Sequence, residues 1–365
     1  MTPKLVCEKF SQAQRVYITA ELECRNADRV RLQPTGFPDI GPLLYGDPTG
    51  SGQVCLVESE ASMANRLEEA CLGDKYLGSV RQEPFKGLPY IRVEDGKGAF
   101  LTASTIEGHR FASEYIMKAK GRIRGSEEET LVECVKRELG VEPGDKKGER
   151  VPAGNVPKIF EIAFELDPMS LVHGFQISLK DQLTFVGLRS PRALTGCIVG
   201  RQCELVAVPG VKFDPIRTGA AGQAIFRKER ITAGNIEASF VINTGLLRSL
   251  PLSGEEKQKK ARQDLLIAIC AWKVAALLRG LEDGMLLRTE CDLGLKTERK
   301  PQYRIGWGDG DSDFDYLSIA SWKDFGELFA DSYPKPSKGR SPLLLQNASA
   351  TKKPQSEKES DKPTA

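Results

Sequence analysis

Few residues of the types that perform acid–base or nucleophilic chemistry are present in this sequence. Among its 365 residues there are two histidines and nine cysteines. His109 stands beside Arg110, whose positive charge disfavours a protonated imidazole, so we interpret it as a hydrogen-bonding residue rather than a catalytic one. His173 follows an apolar pair, which is typical of a semi-buried side chain. No cysteine is marked as an activated nucleophile, so the sequence predicts a protein without catalytic residues.

Two segments superficially resemble ion-binding loops. Alternating carboxylates late in the chain could surround a calcium ion. They are Asp309, Asp311, Asp313 and Asp315. An EF-hand loop in this register would need glycine and glutamate where the chain has Phe314 and Ala320, so we predict a solvated loop and no metal site. Gly46–Gly52 (GDPTGSG) lacks the lysine of a phosphate-binding loop, so we predict an exposed turn and no cofactor.

The composition is that of an ordinary soluble globular protein, with 40% hydrophobic and 28% charged residues. The longest nearly apolar run, Leu265–Trp272, is far shorter than the roughly 20 residues of a membrane span, and the first residues lack the apolar stretch of a signal peptide. An odd number of cysteines without a C-x-x-C pair indicates reduced thiols. We therefore expect a cytoplasmic protein without a membrane partner.

The charge of the chain is unevenly distributed, although its net value is only +2. Residues 334–365 contain seven Lys/Arg and three Asp/Glu and are rich in Pro, Ser and Lys, so we predict a disordered tail after one domain at residues 1–333. Within that domain, Arg189–Arg230 contains eight Lys/Arg and three Asp/Glu, a net charge of +5. This basic island predicts one cationic groove or loop on an otherwise acidic surface.

Hydrophobic periodicity predicts strands and helices in the first half of the chain. Arg15–Glu23 alternates with period two and is predicted as a strand. Gln53–Val57 is predicted as a strand followed by a helix from Ser59, and Pro89–Ser104 as a β-hairpin around Asp95-Gly96. A further helix is predicted before Gly140, with Ser126 and Glu129 as its capping box.

The second half is predicted with the same rules. Asn155–Leu166 is taken as a helix, Leu205–Val208 and Ala238–Ile242 as strands, and Glu255–Arg279 as a long buried helix that stops at Gly280. The stretch Lys212–Asn243 is long, basic and rich in glycine, which indicates a functional or mobile segment.

Dense mixtures of Ser, Arg, Asn and Gly recur in several stretches that read neither as plain core nor as plain surface. At the start of the predicted helix from Ser59, such residues could bind phosphate through exposed N–H groups or could simply cap the helix. The stretches are Arg31–Gly41 (RLQPTGFPDIG), Leu56–Glu68 (LVESEASMANRLE), Ser104–Ile116 (STIEGHRFASEYI), Glu165–Gly174 (ELDPMSLVHG) and Ser190–Gly196 (SPRALTG).

Together these stretches closely resemble the backbone subunit of subtype I-G (formerly I-U) CRISPR Cascade complexes, a Cas-seven family within the RAMP superfamily. The resemblance extends from about residue 15 to residue 210 and is specific because SMANRLE, QPTGFPDIG and the His109–Ile116 run occur in this order. The chain departs from the family pattern at Ala61 and Glu114, where we expect Gln and Pro.

The resemblance implies an α+β fold with an RRM-like (ferredoxin-like) palm, in which an antiparallel sheet is backed by helices and carries inserted thumb and finger regions. It also implies a non-catalytic protein that binds crRNA together with copies of itself and presents the guide to target DNA. The other implied partners are a fused Cas-five/Cas-six type protein and a large subunit. Such a subunit should hold phosphate and sugar rather than read bases, because it must accept any spacer.

On this interpretation the thumb is residues 212–243, and RNA contacts are assigned to polar residues of the matching stretches and the basic island. These residues are Arg31, Gln33, Asn65, Arg66, His109, Arg110, Arg189, Arg192, Lys212, Arg217, Arg227, Lys228 and Arg230. Two alternatives remain open: a related subunit that cleaves target RNA through Asp39 or Asp214 with a metal ion, and an unrelated enzyme with a thiol nucleophile.

Overall fold

The computed structural model describes ten segments of the chain, residues 1–36, 41–50, 52–74, 76–81, 83–141, 151–177, 188–206, 230–307, 310–333 and 342–347. Their helices are α1 (Pro3–Phe10), α2 (Glu60–Glu69), α3 (Glu114–Met117), α4 (Leu131–Leu139), α5 (Lys158–Leu166), α6 (Met169–His173), α7 (Thr244–Ser249), α8 (Glu256–Asp283), α9 (Tyr316–Ala320) and α10 (Glu327–Ser332), with 3-10 turns at Arg110–Ala112 and Ala153–Asn155.

The strands of the same segments fall into one large sheet, one five-stranded sheet and two small ribbons. They are β1 (Val16–Cys24), β2 (Arg31–Leu32), β3 (Leu44–Gly46), β4 (Gln53–Glu58), β5 (Leu72–Asp74), β6 (Ser79–Val80), β7 (Ile91–Glu94), β8 (Phe100–Ala103), β9 (Lys120–Arg122), β10 (Glu128–Thr130), β11 (Phe175–Gln176), β12 (Arg189–Ser190), β13 (Leu194–Val206), β14 (Arg230–Thr232), β15 (Asn235–Ile242), β16 (Met285–Arg288), β17 (Cys291–Leu295), β18 (Gln302–Ile305), β19 (Ser312–Asp313) and β20 (Leu343–Gln346).

The large sheet is antiparallel throughout its described pairs and has the order β16–β17–β1–β15–β13–β14–β2, with β18 also paired to β1 and β4 to β13. The chain passes through helices between β1 and β13 and through α8 between β15 and β17. Together with the helices, this antiparallel sheet confirms the predicted α+β class.

The two faces of the large sheet differ in burial. In β1, Val16, Ile18, Ala20 and Leu22 are buried while the residues between them are mostly half-buried, and β15 repeats the pattern. Because side chains alternate between faces along a strand, one face forms the core beneath α8 and the other is less covered. We call the second the open face. The period-two alternation thus predicted β1 correctly.

Most predicted elements of the first half are confirmed. The strand Gln53–Val57 is β4, the helix begins directly after Ser59, and the hairpin is β7–β8, closed by a hydrogen bond from the Asp95 N–H to the Ala99 carbonyl. The capping box, however, is Thr130 and Glu133 rather than Ser126 and Glu129. Ser126 instead turns back to the Ile123 backbone, so the helix can begin only four residues later. Gly140 ends the helix in the left-handed conformation, as predicted.

Strand β13 is thirteen residues long, whereas only its last two residues fall in the predicted strand Leu205–Val208. The earlier part of β13 was not predicted because it contains glycines, and glycine is depleted in strands. Gly196 is required by packing: a Cβ atom there would lie 2.5 Å from the Phe240 ring and 3.1 Å from Met63 Cγ. The missing side chain therefore lets α2 lie close to the sheet.

Helix α8 passes through Gly280 and ends at Asp283, so the predicted stop was wrong. An exposed glycine costs a helix only about 1 kcal/mol relative to alanine, and the buried Leu277, Leu278 and Leu281 outweigh that cost by packing on the core. The predicted helix in Asn155–Leu166 is confirmed as α5, and the predicted strand Ala238–Ile242 as the last part of β15.

Two predicted boundaries need correction. Residues 230–243 of the predicted thumb largely form β14 and β15 of the large sheet, while 207–229 lie outside the described residues. In the predicted disordered tail, Leu343–Gln346 forms β20, which pairs in parallel with β7 and contacts β9 in the five-stranded sheet. Leu345 is fully buried there, and burial of its apolar side chain stabilises β20. The polar composition of the tail gave no sign of this strand.

Candidate nucleic-acid interface

Helix α2 carries the SMANRLE stretch and begins with a closed set of polar contacts. The Ser59 hydroxyl accepts a hydrogen bond from the Ser62 N–H (3.3 Å), and the Ser62 hydroxyl donates to Glu58. Glu58 is fully buried and pairs with Arg288. Of the two alternatives for this helix start, the structure therefore supports the cap: its polar side chains have partners within the protein.

The β16–β17 hairpin gathers residues from three predicted stretches. The Arg66 guanidinium donates to the Leu287 carbonyl (2.9 Å), and the Gln33 N–H donates to the Glu290 carbonyl (2.7 Å). Arg230, which is buried, forms an ion pair with the Glu290 carboxylate. Arg66 and Arg230 thus attach other elements to the hairpin, and the predicted RNA contact of Arg230 stays a prediction that its burial does not favour.

Arg110 is buried and has a left-handed backbone conformation (φ 56°), which is uncommon for a residue other than glycine. Its Nε and Nη2 donate to the two carboxylate oxygens of Glu68 at 2.7 and 2.9 Å, and its Nη1 donates to the Gly174 carbonyl at 3.1 Å. A bidentate pair of this geometry uses most of the guanidinium. Arg110 therefore joins α2 to the strand after α6, and its assignment to RNA phosphate stays a prediction that these contacts do not favour.

At Gly174, the stretch Ser190–Gly196 lies close to the chain that contacts the Arg110–Glu68 pair. Its φ is 78°, and a Cβ atom there would lie 2.7 Å from the Ser190 carbonyl oxygen and 3.0 Å from the Arg192 nitrogen. Only glycine fits such a close approach. The stretches that contain Glu68, Arg110, Gly174 and Arg192 are therefore packed together although they are distant in sequence.

Several of the residues predicted to contact RNA are exposed to solvent. Asn65 lies on α2 between Arg66 and Glu68, and His109 directly precedes Arg110. Arg189 lies in β12, Arg192 just beyond it, and Arg31 lies in β2 with an ion pair to Asp28 (3.1 Å). Gln33 is half-buried, and its Oε1 has no hydrogen-bond partner within the described ranges. Lys212, Arg217, Arg227 and Lys228 lie outside the described residues.

A shallow depression of about 330 Å³ adjoins the exposed side of α2. Asn65, Tyr76, Thr105 and Gly108 contribute to its wall, and the Tyr76 side chain is 81% exposed. The acidic residues of the wall have partners: Glu68 binds Arg110, Glu69 lies 3.8 Å from Arg66, and Glu107 accepts hydrogen bonds from Thr102 and Ser113. The wall also includes the apolar side chains of Leu72 and Ile106, so the depression combines apolar and polar groups.

His173 is more deeply buried than the sequence indicated. Its Nε2 lies 2.8 Å from Nζ of Lys273, which is also fully buried. Burial and the neighbouring Lys273 charge hold the pKa of His173 well below its usual value. The imidazole is therefore neutral and accepts a hydrogen bond from the ammonium group, a structural arrangement across α6 and α8.

All nine cysteines are unpaired, and seven of them are buried. Burial raises the pKa of Cys55, Cys134, Cys270 and Cys291 to about 12, so these thiols are protonated at neutral pH. Cys24 and Cys197 are only half-buried, and the expectation that the thiols are reduced stays a prediction.

The aspartate run shows ordinary surface contacts where it is described. Asp313 accepts a hydrogen bond from Gln302, and Asp315 caps α9. In the part of the chain that the structure describes, no group of three or more His, Cys, Asp or Glu side chains could hold a metal ion. Asp39, Asp214 and Asp309 lie outside that part. Within the same part, no helix is both long enough and apolar enough to cross a membrane.

Sequence reasoning missed two features of the site region. One is the β16–β17 hairpin, whose contacts with Arg66 and Gln33 use backbone carbonyls that leave no signature in the sequence. The other is a cluster of Tyr17, Arg304 and Trp307 on the open face, which joins strands far apart in the chain. The exposed aromatic residue at position 307 was its only sequence signal.

Comparison with known proteins gives one family match. The model described as CRISPR-associated protein GSU0053 matches residues 16–205, just over half of the chain. No curated protein matches. Similar solved structures include a chain of "CRISPR RNA-guided surveillance complex, pre-nicking" (11% identity, 73% of this chain and 68% of that chain, TM-score 0.29). Another is Csc2 of Thermofilum pendens (13% identity, 84% and 70%, TM-score 0.28).

The TM-scores of both structures are too low to carry an argument. The family match is different, because its bounds contain all five polar stretches of the sequence and the ties among Glu68, Arg110 and Gly174. The resemblance seen in those stretches is thereby confirmed at the level of the family: this chain belongs to the family of CRISPR-associated protein GSU0053.

Proposed function

We propose that this protein is a crRNA-binding backbone subunit of a subtype I-G (formerly I-U) Cascade complex. Copies lie next to one another along the spacer of the guide and leave its bases free to pair with target DNA. The other partners are a fused Cas-five/Cas-six type protein and the large subunit, and the complex acts in the cytoplasm. The subunit is non-catalytic and needs no cofactor.

The observation that carries this proposal is the family match over residues 16–205, within which the separate polar stretches meet around Arg110. The buried arginine fixes α2, the 3-10 turn and the β11–β12 ribbon relative to one another. Exposed Asn65, His109, Arg189 and Arg192 are carried by these same elements. Their guanidinium, amide and imidazole groups suit phosphate and sugar, which carry no sequence information.

The palm is assigned to the large sheet. Its strands β17–β1–β15–β13 lie side by side in this order, with helices between β1 and β13 and between β15 and β17. This connectivity supports an RRM-like (ferredoxin-like) palm. The thumb is reassigned to the segment between Val206 and Arg230, which are paired residues of adjacent antiparallel strands. That segment contains Lys212, Arg217, Arg227 and Lys228.

The test is the salt dependence of guide binding by Arg189→Ala and Arg192→Ala. Each variant should bind all spacer sequences more weakly by a similar factor, and the slope of log K against log salt should fall by roughly 0.7–0.9 per lost phosphate contact. Fluorescence polarisation with labelled guides of unrelated spacer sequence measures both quantities.

Lys257→Ala is the matched control, because it removes an exposed cation from the first turn of α8, far along the chain from the polar stretches. Its affinity and salt slope should equal those of the unmodified protein. A loss confined to particular spacer sequences, or an equal loss in the control, would contradict the backbone role.

A further inference from the structure

An aromatic pair lies on the open face where β1 pairs with β18. Tyr17 of β1 stands directly opposite Arg304 of β18, and Trp307 follows that strand. The ring centroids of Tyr17 and Trp307 are 5.4 Å apart, and the ring planes are tilted by 56°. The Trp307 side chain is 81% exposed. The indole therefore presents a broad apolar surface to solvent without being part of the core.

Arg304 holds this pair together. Its guanidinium carbon lies 5.4 Å from the centroid of the Tyr17 ring and 5.5 Å from that of Trp307, within the range of cation–π attraction. Arg304 Nε is buried and has no hydrogen-bond partner in the segments that the structure describes, and no carboxylate there pairs with this side chain. The cluster thus combines two tilted aromatic rings with an arginine side chain that forms no ion pair with a described carboxylate.

The surrounding open face is polar and includes carboxylates: Glu21 lies opposite Glu237, and Asp313 lies opposite Gln302. Thr19 lies opposite Gln302 on one side and Ser239 on the other, and Ser239 lies opposite Cys197. Glu21, the next residue on this face of β1, is neutralised by Lys296 (3.4 Å) and Arg299. Exposed aromatic rings beside a guanidinium that forms no ion pair with a described carboxylate suit a nucleotide better than a protein interface, whose centre is depleted in charge.

We infer that the cluster of Tyr17, Arg304 and Trp307 binds an unpaired base of a single-stranded nucleic acid. The base stacks on Trp307, and Arg304 attracts the adjacent phosphate. Stacking on an aromatic ring tolerates every base, as a subunit that accepts any spacer requires. The inference rests on the proposed function for the source of the strand, but its residues are separate from the surface of Arg189 and Arg192.

The experiment measures tryptophan fluorescence while a short oligouridylate or oligothymidylate is added to the full-length protein. Of the three tryptophans, Trp272 and Trp322 are buried, so quenching reports on Trp307. We expect the oligonucleotide to quench the fluorescence of the unmodified protein. We expect Trp307→Ala to bind the oligonucleotide with fivefold to hundredfold lower affinity, which corresponds to the loss of one stacked base at about 1–3 kcal/mol. If only oligouridylate quenches the fluorescence, the ligand is RNA, as in the guide. If oligothymidylate quenches it as well, the site also binds single-stranded DNA.

Two variants separate base stacking from a general loss of binding. Trp307→Phe should lose the quenching but keep most of the affinity, because phenylalanine still stacks. Tyr45→Ala, which removes an aromatic residue that is 47% exposed on β3, should change neither. The salt slope of Trp307→Ala should equal that of the unmodified protein, since stacking releases no counterions.

Three results would overturn the inference. Oligonucleotide binding without quenching, and with full affinity in Trp307→Ala, would refute this site while leaving the proposed function intact. A changed sedimentation coefficient of Trp307→Ala without nucleic acid would show that the cluster is a contact between copies. Absence of any oligonucleotide binding by the unmodified protein would refute the proposed function together with the inference.

Discussion

The family-matched stretch, residues 16–205, contains the recognisable motifs, and the later stretch from residue 230 contains none of them, yet the first is completed by the second. Glu58 pairs with Arg288, Arg66 donates to the Leu287 carbonyl, and His173 accepts from Lys273. The pair of Arg110 and Glu68, by contrast, lies entirely within the first stretch. Motifs therefore do not mark a self-sufficient unit here, because many of their polar groups find partners beyond the motif region.

The largest effect is expected within the family-matched stretch. Arg110→Ala should lower the free energy of unfolding by about 3–5 kcal/mol, because it leaves the Glu68 carboxylate without its partner. Urea denaturation followed by circular dichroism measures the change.

The matched variant for this pair is the double substitution Arg110→Met with Glu68→Gln, which removes both charges. It should be less destabilised than Arg110→Ala, since no unpaired charge remains. A stable Arg110→Ala protein with weakened RNA binding would instead restore Arg110 as a phosphate contact and undo the distinction between buried ties and exposed contacts.

A smaller effect is expected where the late stretch completes the five-stranded sheet. Leu345 is fully buried between β7 and β9, so Leu345→Ala should cost about 2–4 kcal/mol of unfolding free energy. Leu344, its neighbour in the same strand, is 54% exposed, and Leu344→Ala should remain within about 0.5 kcal/mol of the unmodified protein. Equal stabilities of the two variants would show that residues 1–333 fold without β20.

The smallest effect concerns the contact of His173 with Lys273. Because the folded-state pKa of His173 is lowered, the unfolded chain binds a proton below about pH 6.5 that the folded protein does not bind. This histidine should therefore remove about 1.4 kcal/mol of stability per pH unit as the pH falls below that value. His173→Gln keeps an acceptor for Lys273, and the dependence of its unfolding free energy on pH should be flatter by that amount. Parallel pH profiles would show that the histidine is protonated in the folded state.

Local patterns predicted the elements whose cause is local. The alternation in β1, the helix start at Ser59 and the left-handed Gly140 are each encoded within a few residues, and all are confirmed. Strand β13 was missed because its glycines serve the packing of Phe240 and Met63, which lie elsewhere in the chain. A propensity rule cannot register a partner that is distant in sequence.

The candidate site was predictable in part for the same reason. The polar stretches were recognised correctly as a set, and the family match confirms them at that level. Which of their arginines are buried could not be read from the sequence, since Arg110 and Arg192 have similar neighbours in the chain but opposite burial. The difference arises from Glu68, which α2 brings to Arg110 from 42 positions earlier.

The position of β20 has a consequence for synthesis of the protein. Strands β7 and β9 are made early, but the strand between them comes only at Leu343–Gln346. Until the ribosome has added those residues, the edges of β7 and β9 that face β20 remain unpaired, and open strand edges template association between chains. A transcript cut short anywhere in the last helices would therefore yield a nascent chain that is prone to aggregate, and slow translation near the end would prolong its dependence on chaperones.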